Sequence, residues 1–172
     1  MVNLKLFVLI FISFLLIQGC SSKTEPKMDP MDPIVEKIVE VETPNGDYTA
    51  MNKITGAYGR YQIKPDTAKY YSKKLDIDYS RWKEPDNQDK IFRALLSDNI
   101  RCLQTNGHKI NAFTVYGAHQ QGATGFDNIM KNRKLSDTTY ARLRRNIPAE
   151  YRCCTDEELC QVWVRYWKKK LS

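Results

Sequence analysis

The chain opens on an apolar block and then changes rhythm. Lys5 precedes the apolar run Leu6 to Ile17, which ends in Gln18-Gly19-Cys20. A bilayer span takes about 20 apolar residues, whereas the core of an export signal takes roughly 7–15, so residues 1–19 read as a signal peptide. Residues 20–32 contain Ser21, Ser22, Pro26 and Pro30 and show no apolar period, which is the composition of a flexible tether. From residue 33 a helical period sets in, and residues 33–172 are expected to form one domain with its own hydrophobic core.

The first helix of that domain is bounded by local signals. Asp32-Pro33 is a helix start, a capping residue followed by proline, and Pro44 is its stop. At about 100° per residue, Ile34, Val35, Ile38, Val39 and Val41 gather on one face, with Glu36, Lys37 and Glu40 opposite. Glu42 does not join its charged neighbours, because it follows Ile38 by four positions and Val35 by seven and so leaves from the apolar face. Asn45-Gly46-Asp47 and Thr55-Gly56-Ala57-Tyr58-Gly59 signal loops, with a small hairpin possible between residues 45 and 63. Pro65-Asp66 starts a second helix reaching about Leu75. Pro85-Asp86 starts a longer one, with Ile91, Phe92, Leu95, Leu96, Ile100 and Leu103 on its buried face and Asn106-Gly107 as its close. A short helix from Ile110 to about His119 precedes a glycine-punctuated loop, Gln120 to Gly125. Thr155-Asp156-Glu157-Glu158 is a capping box opening a last helix that ends on Lys168-Lys169-Lys170. No run of alternating strands and no internal repeat is present, so the expected fold class is mainly α.

Composition narrows the setting. The formal net charge is +7, of which Lys5 is the one contribution from the leader. For an exported chain the anionic partners of such a surface are cell-wall polymers or lipid headgroups, and no nucleic-acid-binding motif is present. The three lysines that close the last helix are ordinary complements of a helix C-terminus. Besides Cys20 there are four cysteines, Cys102, Cys153, Cys154 and Cys160, in an export context that permits disulfides. Adjacent cysteines rarely bond each other, so Cys102 is expected to pair with one of the C-terminal cluster, with the pairing open. No CxxC pair or HxxxH spacing supports a metal site, and no cofactor is called for.

Glu42 is the candidate for chemistry. A carboxylate on a core-facing surface is disfavoured in its ionised form, so its pKa rises, which suits a general acid near neutral pH. The plain alternative is a helix that frays at Thr43-Pro44 and lets Glu42 swing into water. Asp47 is the acidic residue nearest in sequence to the glycine-rich segment, but an aspartate after Asn45-Gly46 is more often a turn residue.

Three segments carry a family resemblance. Val41-Glu42-Thr43, then Gly56-Ala57-Tyr58-Gly59-Arg60-Tyr61-Gln62-Ile63-Lys64-Pro65, resembles the catalytic region of lytic transglycosylases and goose-type lysozymes, where a helix ends in the catalytic Glu and a Gly-Ala-x-Gly-x-x-Gln-apolar-x-Pro segment follows. Tyr116-Gly117-Ala118-His119-Gln120-Gln121-Gly122-Ala123 is similar to a Tyr-x-Ala-His-x-x-Gly-x-Gly segment in phage-type members, and Pro85-Asp86-Asn87-Gln88-Asp89 looks like a helix start often found between the two. The resemblance covers roughly residues 34–126. Thr43 stands where the family usually has serine, and Pro44 where it has a small residue; the interval from Glu42 to Gln62 is slightly longer than usual. Separately, Ile17-Gln18-Gly19-Cys20 resembles the bacterial lipobox, whose cysteine becomes lipid-modified.

These resemblances imply a lysozyme-like domain acting on peptidoglycan, anchored to the membrane through lipid on Cys20. Ser21 lacks the aspartate that often retains lipoproteins at the inner membrane, which implies the outer membrane, facing the periplasm. Glu42 would protonate the glycosidic oxygen between N-acetylmuramic acid and N-acetylglucosamine, with no second carboxylate required. Gly59 would let backbone approach the sugar, Gln62 would offer an amide, and Tyr61, Tyr116 and His119 would stack or hydrogen-bond along the cleft. A tyrosine or histidine between apolar residues is as readily a core residue with one satisfied polar atom. Rival readings are a muramidase that uses water, a domain that binds glycan without cutting it, and a basic membrane-associated adaptor.

Overall fold

A computed structural model describes residues 29–172; the signal peptide, Cys20 and most of the tether lie outside the described residues. The domain is mainly helical: α1 Asp32–Glu42, α2 Pro65–Lys74, α3 Pro85–Thr105, α4 Ala112–Gln121, α5 Ala123–Met130, α6 Asp137–Arg145 and α7 Asp156–Lys170. Single 3₁₀ turns, Tyr79–Arg81 and Ala149–Tyr151, sit before α3 and α7. Among the described residues no helix is long and apolar enough to cross a membrane.

α4 is the hub. Phe113 to Ala118 are buried in unbroken succession, because α1, α3, α5 and α7 pack around it. A helix enclosed on every side has no polar stripe to keep. Gly117 makes the α4–α5 approach possible: a Cβ there would lie 2.4 Å from the Phe126 ring. The expected loop from Gln120 to Gly125 is instead a break of one residue. Gly122, at φ +75°, ends α4, and α5 starts at Ala123.

The expected starts at Pro33, Pro65 and Pro85 all occur in the first turns of helices, and the capping box of α7 forms, with Glu158 N–H donating to Thr155 Oγ1 and Thr155 N–H to Glu158 Oε2. Asp32 plays a different part from the one expected. It lies inside α1, Met31 precedes the helix, and the Asp32 carboxylate accepts from Arg93 at 2.5 Å, pinning α1 to α3.

Two expectations are corrected. No hairpin forms between residues 45 and 63, where only isolated antiparallel bridges join Met51 to Tyr58 and Tyr58 to Ile63. Tyr58 serves both bridges, and Asn52 Oδ1 takes the N–H groups of Ile54 and Thr55 into a turn, so no ladder propagates. The disulfide expected from Cys102 is also not formed, and Cys102, Cys153, Cys154 and Cys160 are free. α3 packs chiefly on α2, α4 and α5, whereas α7 packs chiefly on α4, α5 and α6, so Cys102 and Cys160 ride on helices that are not main packing partners of each other.

Candidate active site

Glu42 is the last residue of α1, and the end of that helix is held. Thr43 is buried, its N–H donates to Val39 O at 2.8 Å, and its hydroxyl donates to Arg60 O at 2.5 Å. Thr43 then takes an extended conformation ahead of Pro44, where a further helical turn is excluded. The helix therefore does not fray, and Glu42 points into a cleft of about 710 Å³ formed by the loop from Asn52 to Lys64, α4, α6 and the start of the 149–151 turn's lead-in.

The carboxyl of Glu42 is 22% exposed, and burial pushes its pKa up from 4.5 to about 7. The Tyr116 hydroxyl and the Lys64 ammonium pull the other way, by less. Tyr116 is oriented by a relay from the core. Trp163 Nε1 donates to Gln120 Oε1 at 3.0 Å, and Gln120 Nε2 donates to the Tyr116 hydroxyl at 2.8 Å. The Tyr116 oxygen accepts from Gln120, and burial beside the Glu42 carboxylate raises its pKa, so it stays a phenol able to donate toward Glu42.

His119 Nε2 lies 3.8 Å from Glu42 Oε1. Burial, with Lys64 nearby, pushes the imidazole down to about 4, so at neutral pH the ring is uncharged. Glu42 thus faces a neutral imidazole and a phenol, and with a pKa of about 7 a substantial fraction of it carries a proton at neutral pH. Among the described residues it is also the only carboxylate that lines the cleft. Asp47 lies apart, exposed, its Oδ1 accepting from the Thr49 N–H and hydroxyl at 2.7 Å, which is the turn role expected for it.

Of the other residues singled out in the sequence, Gln62 lines the cleft but Gly59 and Tyr61 do not. Gln62 sits in the left-handed region at φ +48°, and its Nε2 donates to Gly59 O and Ala50 O, so the amide braces the loop that carries it. Tyr61 is buried, stacked on Phe92 at 4.1 Å, with its hydroxyl donating to Asp89. Gly59, at φ +80°, makes room for a side chain and not for a sugar: a Cβ there would lie 1.7 Å from Gln88 Oε1.

Gln88 and Asp89 are therefore the residues whose part the sequence concealed. Gln88 is fully buried, accepts from Arg60 N–H at 3.2 Å and donates to Tyr48 O and Lys83 O. Asp89 accepts from the hydroxyls of Tyr48 and Tyr61, both at 2.8 Å. Together they fasten the loop opposite Glu42 to the start of α3. Buried polar atoms without a protein partner also concentrate in the cleft: His119 Nδ1, Asn99 Nδ2, Gln121 Oε1 and Arg142 Nε. Unpaired buried groups are costly, and their gathering in one cleft is what a polar ligand site requires.

Compared with known protein families, curated proteins and solved structures, the chain gives no match.

Proposed function

We propose that this chain is a lytic transglycosylase with a lysozyme-like domain, cleaving the β-1,4 bond between N-acetylmuramic acid and N-acetylglucosamine in peptidoglycan. The observation that carries this reading is Glu42: one carboxyl, its pKa near 7, alone among the carboxylates in a polar cleft. Hydrolases of the usual two-carboxylate type use a second carboxylate roughly 5–9.5 Å away as nucleophile or base, and among the described residues Glu42 alone of the carboxylates lines this cleft. A route in which the substrate supplies its own nucleophile needs only the acid.

In that route Glu42 gives its proton to the bridging oxygen as the C1–O bond breaks, releasing N-acetylglucosamine with a free 4-hydroxyl. The C6 hydroxyl of the muramoyl residue then attacks C1 and returns a proton to the Glu42 carboxylate, leaving a 1,6-anhydro end and restoring the acid. Between the two steps Glu42 is an anion, and the Tyr116 hydroxyl favours that charged form. Lys64 adds a favourable charge at the same moment. Neutral His119 does not compete for the proton. Lipid on Cys20 would hold the domain at the outer membrane, facing its substrate in the periplasm.

The deciding experiment is digestion of purified peptidoglycan by the full chain, with Glu42→Gln alongside, and mass spectrometry of the released fragments. The expected products carry 1,6-anhydro ends and are absent from the Glu42→Gln reaction. Reducing ends would make the enzyme a muramidase that uses water, and no release by a folded protein would leave a glycan-binding domain.

A further inference from the structure

The cleft is more cationic than an uncharged sugar requires. α6 carries three arginines near its end, and Arg144 is fully engaged, with Asp156 at 2.6 Å and the carbonyls of Arg152 and Cys154. Arg142 and Arg145, three residues apart on the same face, line the cleft and make no ion pair with any described residue. Elsewhere the arginines at 60, 81, 93, 101 and 133 have carboxylate partners, while Arg152 and Arg165 have none among the described residues and do not line the cleft. Arg142 is half-buried, and its Nε is enclosed with no acceptor. A guanidinium N–H withdrawn from water without an acceptor is costly, and an anion seated on the rest of the group would offset part of that cost.

The place of these arginines relative to Glu42 follows from a short chain of contacts. Trp167 Nε1 donates to Asn146 O, the residue after Arg145, at 2.9 Å. The Trp167 ring lies 4.7 Å from that of Tyr116, whose hydroxyl faces Glu42. The backbone that follows the arginine pair is thus tied through Trp167 to Tyr116, and both arginines line the cleft that Glu42 lines, offering paired N–H donors that match a carboxylate.

We infer that the α6 wall is a carboxylate subsite, in which Arg142 and Arg145 take an acidic substituent of the glycan strand while Glu42 addresses the backbone bond. This inference rests on the glycan reading above. Two groups on a peptidoglycan strand supply that chemistry: the carboxylates of the stem peptides and the lactyl carboxylate that is freed when stems are removed.

The test uses binding, with cleavage switched off. The full chain in detergent carrying Glu42→Gln is the parent, and Arg142→Gln/Arg145→Gln is added to it. Three soluble probes are titrated: stem-bearing glycan strands, strands stripped by an amidase, and chitooligosaccharides, which have no carboxylate. Loss of the paired contact is expected to weaken binding of the acidic strand about tenfold, with chitooligosaccharide binding at the parent's level. A loss confined to stem-bearing strands identifies the stem carboxylates, and a loss on stripped strands identifies the lactyl group. The single exposed change Arg145→Gln, and Arg142→Lys/Arg145→Lys, which keeps the charges, separate recognition from misfolding. Equal affinity of parent and double variant for both acidic strands overturns the subsite. A parent that binds none of the probes removes the glycan reading itself, and this inference with it.

Discussion

At the scale of the residue, Glu42 sets opposing demands on stability and on chemistry. Its pKa is raised by folding from 4.5 to about 7, so the folded protein holds a proton that the unfolded chain releases between those values. Stability from this group is complete below about pH 4.5 and declines as pH rises through about 7, a loss on the order of 3 kcal/mol at about 1.4 kcal/mol per pH unit. Glu42→Gln is therefore expected to match the parent in denaturant midpoint near pH 4.5 and to exceed it clearly at pH 8. Identical midpoints at both pH values would mean that the carboxyl is not desolvated. His119 acts in the opposite sense. Its pKa is depressed to about 4, so its contribution is present above about 6.5 and is lost as pH falls toward 4. Turnover should fall as pH rises through about 7, as the acid ionises. Tyr116→Phe removes the donor that favours the Glu42 anion, so the alkaline limb should move to higher pH while kcat drops by roughly tenfold, the cost of one charge-assisted hydrogen bond. A limb that stays in place in Tyr116→Phe would separate Tyr116 from the acid.

At the scale of the element, the loop between α1 and α2 is held from a distance. Gln88 satisfies Arg60 N–H, Tyr48 O and Lys83 O, and Gly59 lets it in. Gln88→Ala leaves those backbone groups buried without partners and is expected to cost about 2–4 kcal/mol. Gly59→Ala meets both a left-handed φ and a collision with Gln88, and should cost at least as much, about 3 kcal/mol or more. Chemical denaturation of both variants checks this, and a Gly59→Ala protein of parental stability would show that the Gln88 contact is dispensable. The same contrast explains what could be read in advance. The helix starts at Pro33, Pro65 and Pro85, the capping box at Thr155 and the inward side of Glu42 are written in neighbouring residues, and all were legible. The absence of a hairpin, the burial of Tyr61 and the reason for Gly59 depend on Gln88 and Asp89, 28 and more positions away, and no local pattern reports such partners. α6 was missed because it buries only Leu143 and so has no apolar stripe, yet it supplies the arginines of the cleft. Of the glycine-rich motif, Ala57, Gln62, Ile63 and Lys64 line the cleft, whereas Gly59 and Tyr61 belong to the scaffold beside it.

At the scale of the whole molecule, the chain combines a cationic domain with a proposed anchor, and the two make separable contributions to where it works. A net charge of +7 attracts the domain to anionic polymers and headgroups, but that attraction is screened over about 8–10 Å at physiological salt. The three lysines ending α7 are exposed and stand at a helix C-terminus, where the dipole already accounts for them. Charge alone therefore gives reversible, salt-sensitive association. Lipid on Cys20, as proposed, would give something different, because the covalent chain from Cys20 to Met31 spans at most roughly 40 Å fully extended, which would hold the start of α1 within that distance of the membrane surface. Cys20→Ser is expected to leave the digestion of soluble strands unchanged and to move the protein from the membrane fraction to the soluble fraction. A wash in 1 M salt distinguishes the two forces. Parent chain that stays in the pellet through the wash, with Cys20→Ser released, assigns retention to the lipid. Cys20→Ser that pellets until salt is added assigns it to charge, and Cys20→Ser that pellets even after the wash assigns it to an uncleaved apolar leader acting as the anchor.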